Sequence, residues 1–122
     1  MRFVPVLVCL VLLPGGLARA DTPPAIVQPQ DGATLTGPVK IVITPGTAHP
    51  GTHLHLIVDA PLPAAGSAVP MDAHHVHLVH GETEKTLTLA PGRHKFQLIE
   101  GSMAHGIAAD APHSEPVTVE VK

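Results

Sequence analysis

The strongest constraint on the fold is a series of short segments in which apolar residues alternate and turn residues intervene. Residues 39–43 place Val39, Ile41 and Ile43 on one face, and residues 117–121 repeat the pattern with three valines. Successive side chains of a strand point to opposite faces, so these segments predict half-buried strands. No window has the apolar spacing of a helix. The sequence therefore predicts an all-β fold, a small antiparallel immunoglobulin-like β-sandwich of six or seven strands.

Further strands and turns are predicted along the chain. Residues 26–27 predict a short edge strand, and residues 53–58 and 75–79 predict two longer ones. Residues 60–70 hold three prolines and a glycine and predict a loop. The Ala90-Pro91-Gly92 turn separates residues 86–89 from residues 94–99, which predicts a hairpin.

The first twenty residues have the pattern of a cleavable signal peptide. Arg2 precedes an apolar run over residues 3–13, and Ala18-Arg19-Ala20 has the small-x-small form of a cleavage site. The run is shorter than the roughly 20 apolar residues that span a bilayer. Cys9 lies inside the run after Val8, where a lipoprotein signal would have a small residue. We predict cleavage after Ala20, a single domain over residues 21–122, and a periplasmic or secreted location without an integral membrane segment.

The predicted mature chain is acidic and free of cysteine. Two of the seven basic residues lie in the leader, so five remain against all ten acidic residues, a net charge of −5 with neutral histidine. This charge argues against nucleic acid as a partner, which requires clustered lysine and arginine. The only cysteine is Cys9, so residues 21–122 can form neither a disulfide nor a cysteine–zinc site.

Histidine is the most informative residue type, because all ten copies lie after residue 48. His53 and His55 share one strand face, and His75 and His77 share another. His94 is predicted at the end of a core-facing row. Neighbouring His-x-His strands would gather the imidazoles into a metal site, with copper favoured over zinc by its intrinsic affinity. The alternative is that these histidines are polar residues of a solvent-facing sheet.

Other donors are less defined by the spacing alone. Asp59 and Glu84 are candidate carboxylates, either as ligands or as hydrogen-bond partners that orient a ring. Met71 and Met103 could supply thioether sulfur to Cu(I), or simply fill gaps. His105 stays undecided, and four histidines are predicted to lie outside the site: His49, His74, His80 and His113.

Three segments in register resemble a bacterial exported family, domain of unknown function 4399. They are residues 51–59, 75–84 and 91–98, and the similarity runs from about Gly51 to the C-terminus. The resemblance implies that the histidines and acids of the site recur in that family. It therefore makes His105 and Glu84 stronger candidates for the site than their spacing alone does. The matching positions are His53, His55, His75, His77, His94, His105, Asp59 and Glu84. Leu78-Val79-His80-Gly81 stands where the family usually has Phe-Gly-Lys-Gly.

Three functions remain after this reading. The first is an exported histidine-rich metal-binding module, with copper as the favoured ion and zinc as the alternative, that buffers or delivers the metal. The second is a non-metal interaction module of the cell envelope with an immunoglobulin-like fold, which binds a glycan or another envelope protein. The third is a metal-dependent enzyme, which ranks last because the chain has no Gly-x-Ser-x-Gly elbow and no recognisable pair of carboxylates.

Overall fold

The computed structural model describes residues 21–122, so the predicted signal peptide and its cleavage site lie outside the described residues. These residues form eight strands and no helix. The strands are β1 (Ala25–Gln28), β2 (Thr34–Leu35), β3 (Val39–Thr44), β4 (Thr52–Val58), β5 (His75–Leu78), β6 (Glu84–Leu87), β7 (Gly92–Ser102) and β8 (Val117–Val121).

The strands form two sheets, in the orders β1-β3-β6 and β2-β8-β7-β4-β5. Every neighbouring pair is antiparallel except β2 and β8, which are parallel. The predicted all-β sandwich is confirmed, with eight strands instead of six or seven. The predicted hairpin is wrong: β6 pairs with β3 in the smaller sheet, and β7 pairs with β4 and β8. The Ala90-Pro91-Gly92 turn thus carries the chain from one sheet to the other.

The main core lies between the sheets and follows the alternation in the sequence. Val39, Ile41 and Ile43 of β3 are buried, while Lys40 is exposed. They pack in one cluster with apolar residues of the larger sheet, and Phe96 of β7 is completely buried there. The cluster also contains Leu56, Val58, Leu78, Leu98, Val117, Val119 and Val121.

A second apolar cluster covers the outer face of the larger sheet. Ile57 of β4 and Ile99 of β7 pack there against Val69 and Ile107. Val69 and Ile107 belong to the β4–β5 and β7–β8 connections, which bind each other through the hydrogen bond from Ile107 N–H to the Ser67 carbonyl at 3.0 Å. Both faces of the central strand β4 are therefore shielded, and polar groups of its outer face lose their contact with water.

Within residues 21–122, no helix has the length and hydropathy that crossing a membrane requires.

Candidate functional site: a histidine cluster on the outer sheet face

The two His-x-His strands are direct neighbours in the larger sheet. β4 and β5 pair antiparallel, with His55 directly opposite His77. On the other side of β4, His53 lies opposite Gly101 of β7. Directly opposed residues of an antiparallel pair project to the same face. The strands therefore bring the rings of His53, His55 and His77 together on the outer face, away from the main core.

His105 adds a fourth ring from the loop that follows β7. Its N–H binds the Ser102 carbonyl at 2.7 Å, and its own carbonyl accepts from Val69 N–H at 2.7 Å. The backbone of His105 is left-handed, with φ of 63°. Non-glycine residues adopt this conformation rarely, and such positions concentrate at functional sites. The turn and its bond to the β4–β5 connection hold the ring over the strands.

One nitrogen of each of the four rings lies close to a nitrogen of each of the others. One nitrogen from each of His53, His55, His77 and His105 lies within 4.8 Å of all the others. His77 Nδ1 is 3.1 Å from His105 Nδ1, and His55 Nε2 is 3.4 Å from the same atom. Two nitrogens bound to one tetrahedral ion at about 2.0–2.1 Å would be separated by about 3.3 Å. These two distances therefore fit a shared ion, and the cluster could hold a metal.

Three ring nitrogens of the cluster have no hydrogen-bond partner among the described residues. They are both nitrogens of His53 and Nδ1 of His55, and all three are buried. A buried polar group without a partner costs about 1–3 kcal/mol, so such groups are rare in a structure that gains nothing from them. A metal ion that accepts the lone pair of each ring would satisfy part of this deficit.

A backbone carbonyl sets the tautomer of His77. His77 Nε2 lies 2.9 Å from the Pro70 carbonyl oxygen, which can only accept, so Nε2 carries the proton and donates. The lone pair of His77 is then on Nδ1, the atom that faces His105. Metal-binding histidines are usually oriented in this way, with the other ring N–H given to a carbonyl or carboxylate.

Burial keeps the two inner rings neutral. Desolvation is the main cause that lowers the pKa of His55 to about 3, and repulsion from His53 and His77 contributes less. Desolvation, followed by repulsion from His105 and His77, also lowers the pKa of His53. Both rings therefore keep their lone pairs at neutral pH, which is the form that binds a metal.

Gly101 makes room for the most deeply buried ring. A Cβ atom at this position would lie 2.7 Å from His55 Cε1 and 3.1 Å from His55 Nδ1. His55 is fully buried, so its ring has no open space into which it can move. Sequence reasoning missed Gly101, although a glycine inside a strand is a known sign of close approach. The carbonyl of Pro70 has no comparable sequence signal.

The structure does not bring His75 and His94 into the cluster. His75 shares the outer face with His77, but it lies opposite Ile57 and its Nδ1 is 2.5 Å from Asp72 Oδ1. His94 has the parity of Phe96, so it projects from the inner face of β7 at the end of the core. The hydrogen bond to the Asp59 carboxylate is the main cause that raises the pKa of His94.

The predicted carboxylates and the methionine also lie outside the four-ring group. Asp59 is the partner of His94, with Oδ2 2.6 Å from His94 Nδ1. Glu84 is on the smaller sheet and pairs with Lys40 at 3.4 Å. Met103 is in the turn before His105 and is exposed. The four histidines predicted to lie outside the site are outside the cluster: His49, His74, His80 and His113.

A pocket of about 190 Å³ adjoins the cluster at His53. Glu82 and Glu100 line it, and Glu100 Oε2 is 2.8 Å from His49 Nδ1. Hydrogen bonds to Glu100 and Asp21 raise the pKa of His49. The two carboxylates that line the pocket outnumber His49, so this side of the site stays net acidic even with His49 protonated, which favours the approach of a cation.

The fold and the site define an all-β sandwich with a four-histidine cluster, suited to a metal ion, on the outer face of its larger sheet. The family described as Domain of unknown function (DUF4399) matches residues 38–122. The chain belongs to this family, which confirms the resemblance seen in the sequence.

Comparison with characterised and solved proteins adds information on the fold alone. No curated protein matches the chain in sequence. The X-ray structure of the endo-beta-1,4-mannanase from Thermotoga petrophila is similar, with a TM-score of 0.56 at 15% identity over 89% of this chain. The match spans 21% of the mannanase chain. At this identity the likeness concerns the sandwich architecture and not the activity.

Proposed function

We propose that the protein is an exported metal-binding module that holds a copper ion through His53, His55, His77 and His105 and buffers or delivers it. The observation that carries this proposal is the convergence of four ring nitrogens within 4.8 Å, at a place where both nitrogens of His53 are buried without a partner among residues 21–122. In a cluster with a purely structural role, these unpaired ring nitrogens would destabilise the fold and nothing would compensate for them.

The donor set favours copper. All four donors are imidazoles, and residues 21–122 contain no thiolate. Imidazole suits both copper and zinc, and Cu(II) binds nitrogen donors more tightly than Zn(II) does. Zinc at the same four nitrogens is the alternative outcome of the binding test.

The number of ligands supports storage or transfer over catalysis. Catalytic metal sites commonly combine three protein ligands with one open position, whereas four protein ligands fill a tetrahedral ion. His53 and His55 are buried, while His77 and His105 are half-buried. An ion held here would be shielded on one side and reachable on the other, as a cargo that must be released requires.

Calorimetric titration of the protein with Cu(II) and with Zn(II) tests the proposal. We expect saturation near one ion per chain, and an affinity that falls by at least about 100-fold in the double variant His53→Leu, His105→Asn, because removing ligands costs more than removing their outer partners. Asparagine is chosen because it tolerates the left-handed backbone. The matched control is His80→Ala with His113→Ala, two exposed histidines outside the cluster.

Two results would overturn the metal site. The first is weak, unsaturated binding that is equal in the cluster variant and in the control variant. The second is a loss of affinity only in the control. Either result would leave the four rings without a role in metal binding and favour the envelope interaction module.

A further inference from the structure

The two methionines of residues 21–122 are both on the surface. The side chains of Met71 and Met103 are 77% and 60% exposed. Only two other large apolar residues of the described chain are exposed, Val27 and Val79. Neither methionine fills a gap in the core, so the packing role usual for this residue does not account for their positions.

Both methionines lie in loops whose backbone contacts the half-buried rings of the histidine cluster, His77 and His105. Met71 follows Pro70, whose carbonyl accepts from His77. Met103 lies in the turn that ends at His105 and is anchored by its N–H to the Gly51 carbonyl at 2.9 Å. The two loops are joined directly.

The connection between these loops fixes the arrangement. Val69 N–H donates to the His105 carbonyl at 2.7 Å, and Ala68 forms an isolated β-bridge with Gly106. Each methionine is thus two residues or fewer from a backbone group that orients a ring of the cluster. The two methionines therefore lie in directly bonded loops beside one site, although they are 32 positions apart in the sequence.

We infer that Met71 and Met103 form a thioether site for monovalent copper at the rim of the histidine cluster, through which the ion enters and leaves. This inference rests on the proposed copper function. Soft thioether sulfur selects Cu(I) and has little affinity for Zn(II), whereas imidazole accepts both. Imidazole nitrogen also binds Cu(I), so the ion passes from sulfur to nitrogen as Cu(I) with no electron transferred, and the Cu(II) of the calorimetric titration serves as a probe of the same four nitrogens.

The test compares transfer of Cu(I) from a chromophoric chelator to the protein, without oxygen, in wild type and in Met71→Leu, Met103→Leu. Leucine keeps the size and apolar character but removes the sulfur. We expect the transfer rate to fall by about tenfold or more, with the Zn(II) affinity unchanged. Val27→Leu, at an exposed apolar position on β1 of the smaller sheet, is the control and should transfer at the wild-type rate.

A second readout follows the sulfur atoms directly. In protein carrying ¹³C-methyl methionine, the methyl resonances of Met71 and Met103 should shift on addition of Ag(I), a stable stand-in for Cu(I), and stay in place with Zn(II). Unchanged methyl resonances and an unchanged transfer rate in the leucine variant would overturn the inference while Zn(II) binding still supports the histidine site. A wild type that binds neither Zn(II) nor copper would instead overturn the proposed function.

Discussion

Replacing His53 by leucine separates a metal-binding role from a structural one. His53 is 8% exposed, and neither of its ring nitrogens has a partner among residues 21–122. If the ring is kept for its metal, the metal-free protein carries an avoidable cost at this position. Leucine has a similar size and no polar atom, so it removes that cost while it removes one ligand.

The expected magnitude follows from the burial. An unsatisfied buried polar group costs about 1–3 kcal/mol, so His53→Leu should raise the free energy of unfolding of the metal-free protein by about that amount. For a domain of this size, each kcal/mol raises the melting temperature by about 4–8 °C. At a free metal concentration about 1,000 times Kd, a bound ion stabilises the wild type by about 4.1 kcal/mol, and the variant should gain much less.

The assay is thermal unfolding of both proteins with a chelator and with excess metal. The variant should melt higher with the chelator, and the wild type should melt as high or higher with metal. His80→Leu, at an exposed position, is the control and should stay within about 0.5 kcal/mol of wild type in both conditions. The reasoning fails if His53→Leu is the less stable protein with the chelator, or if metal raises both melting temperatures equally.

Three further predictions concern the same site and its export. Gly101→Ala should displace the His55 ring and weaken metal binding, measured by calorimetry, by about tenfold or more. Gly106→Ala is the control and should leave the affinity unchanged, because a Cβ atom there would contact only Ser102 Oγ, at 3.4 Å. Because the folded-state pKa of His55 is about 3, against 6.5 unfolded, the unfolded chain takes up the proton first and stability falls as pH drops below about 6.5. Chemical denaturation measures the free energy of unfolding at pH 7 and at pH 5. Between these two pH values, metal-free wild type should lose about 1–2 kcal/mol more of this free energy than the double variant His53→Leu, His55→Leu. An equal loss in the two proteins would contradict the prediction. Intact mass of the protein recovered from a bacterial periplasm should correspond to a chain that starts after Ala20, and a retained leader would refute the predicted cleavage.

The fold was largely readable from the sequence, because the information is local. Alternation in residues 39–43 and 117–121 predicts both β3 and β8, which form with that parity. The sequence does not show that β6 belongs to the smaller sheet, because a Pro-Gly turn can connect two strands of a hairpin or two strands of different sheets. Pairing partners are set by the whole core and not by the turn.

The candidate site was readable in part for the same reason. Parity alone places His53 with His55 and His75 with His77, but only the pairing of β4 with β5 makes the two strands neighbours, and the sequence does not contain that pairing. The sequence pattern suggests His94 as a further ring of the site, but its parity with Phe96 puts it on the opposite face of the sheet. His75 has the correct parity, yet Asp72, three residues earlier, binds its ring. The local hydrogen bond is a property of the folded loop that the pattern does not contain.

The four rings come from parts of the fold that open with very different ease. His53 and His55 lie on β4, which is hydrogen-bonded to a strand on each side, whereas His77 lies on the terminal strand β5 and His105 in a turn. Terminal strands and turns open locally at a lower free energy than central strands. A bound ion would act as a crosslink between these regions, slowing amide hydrogen exchange in β5 far more than in β4. Its dissociation would then need only local fraying of β5 and the turn, while the sandwich itself stays folded.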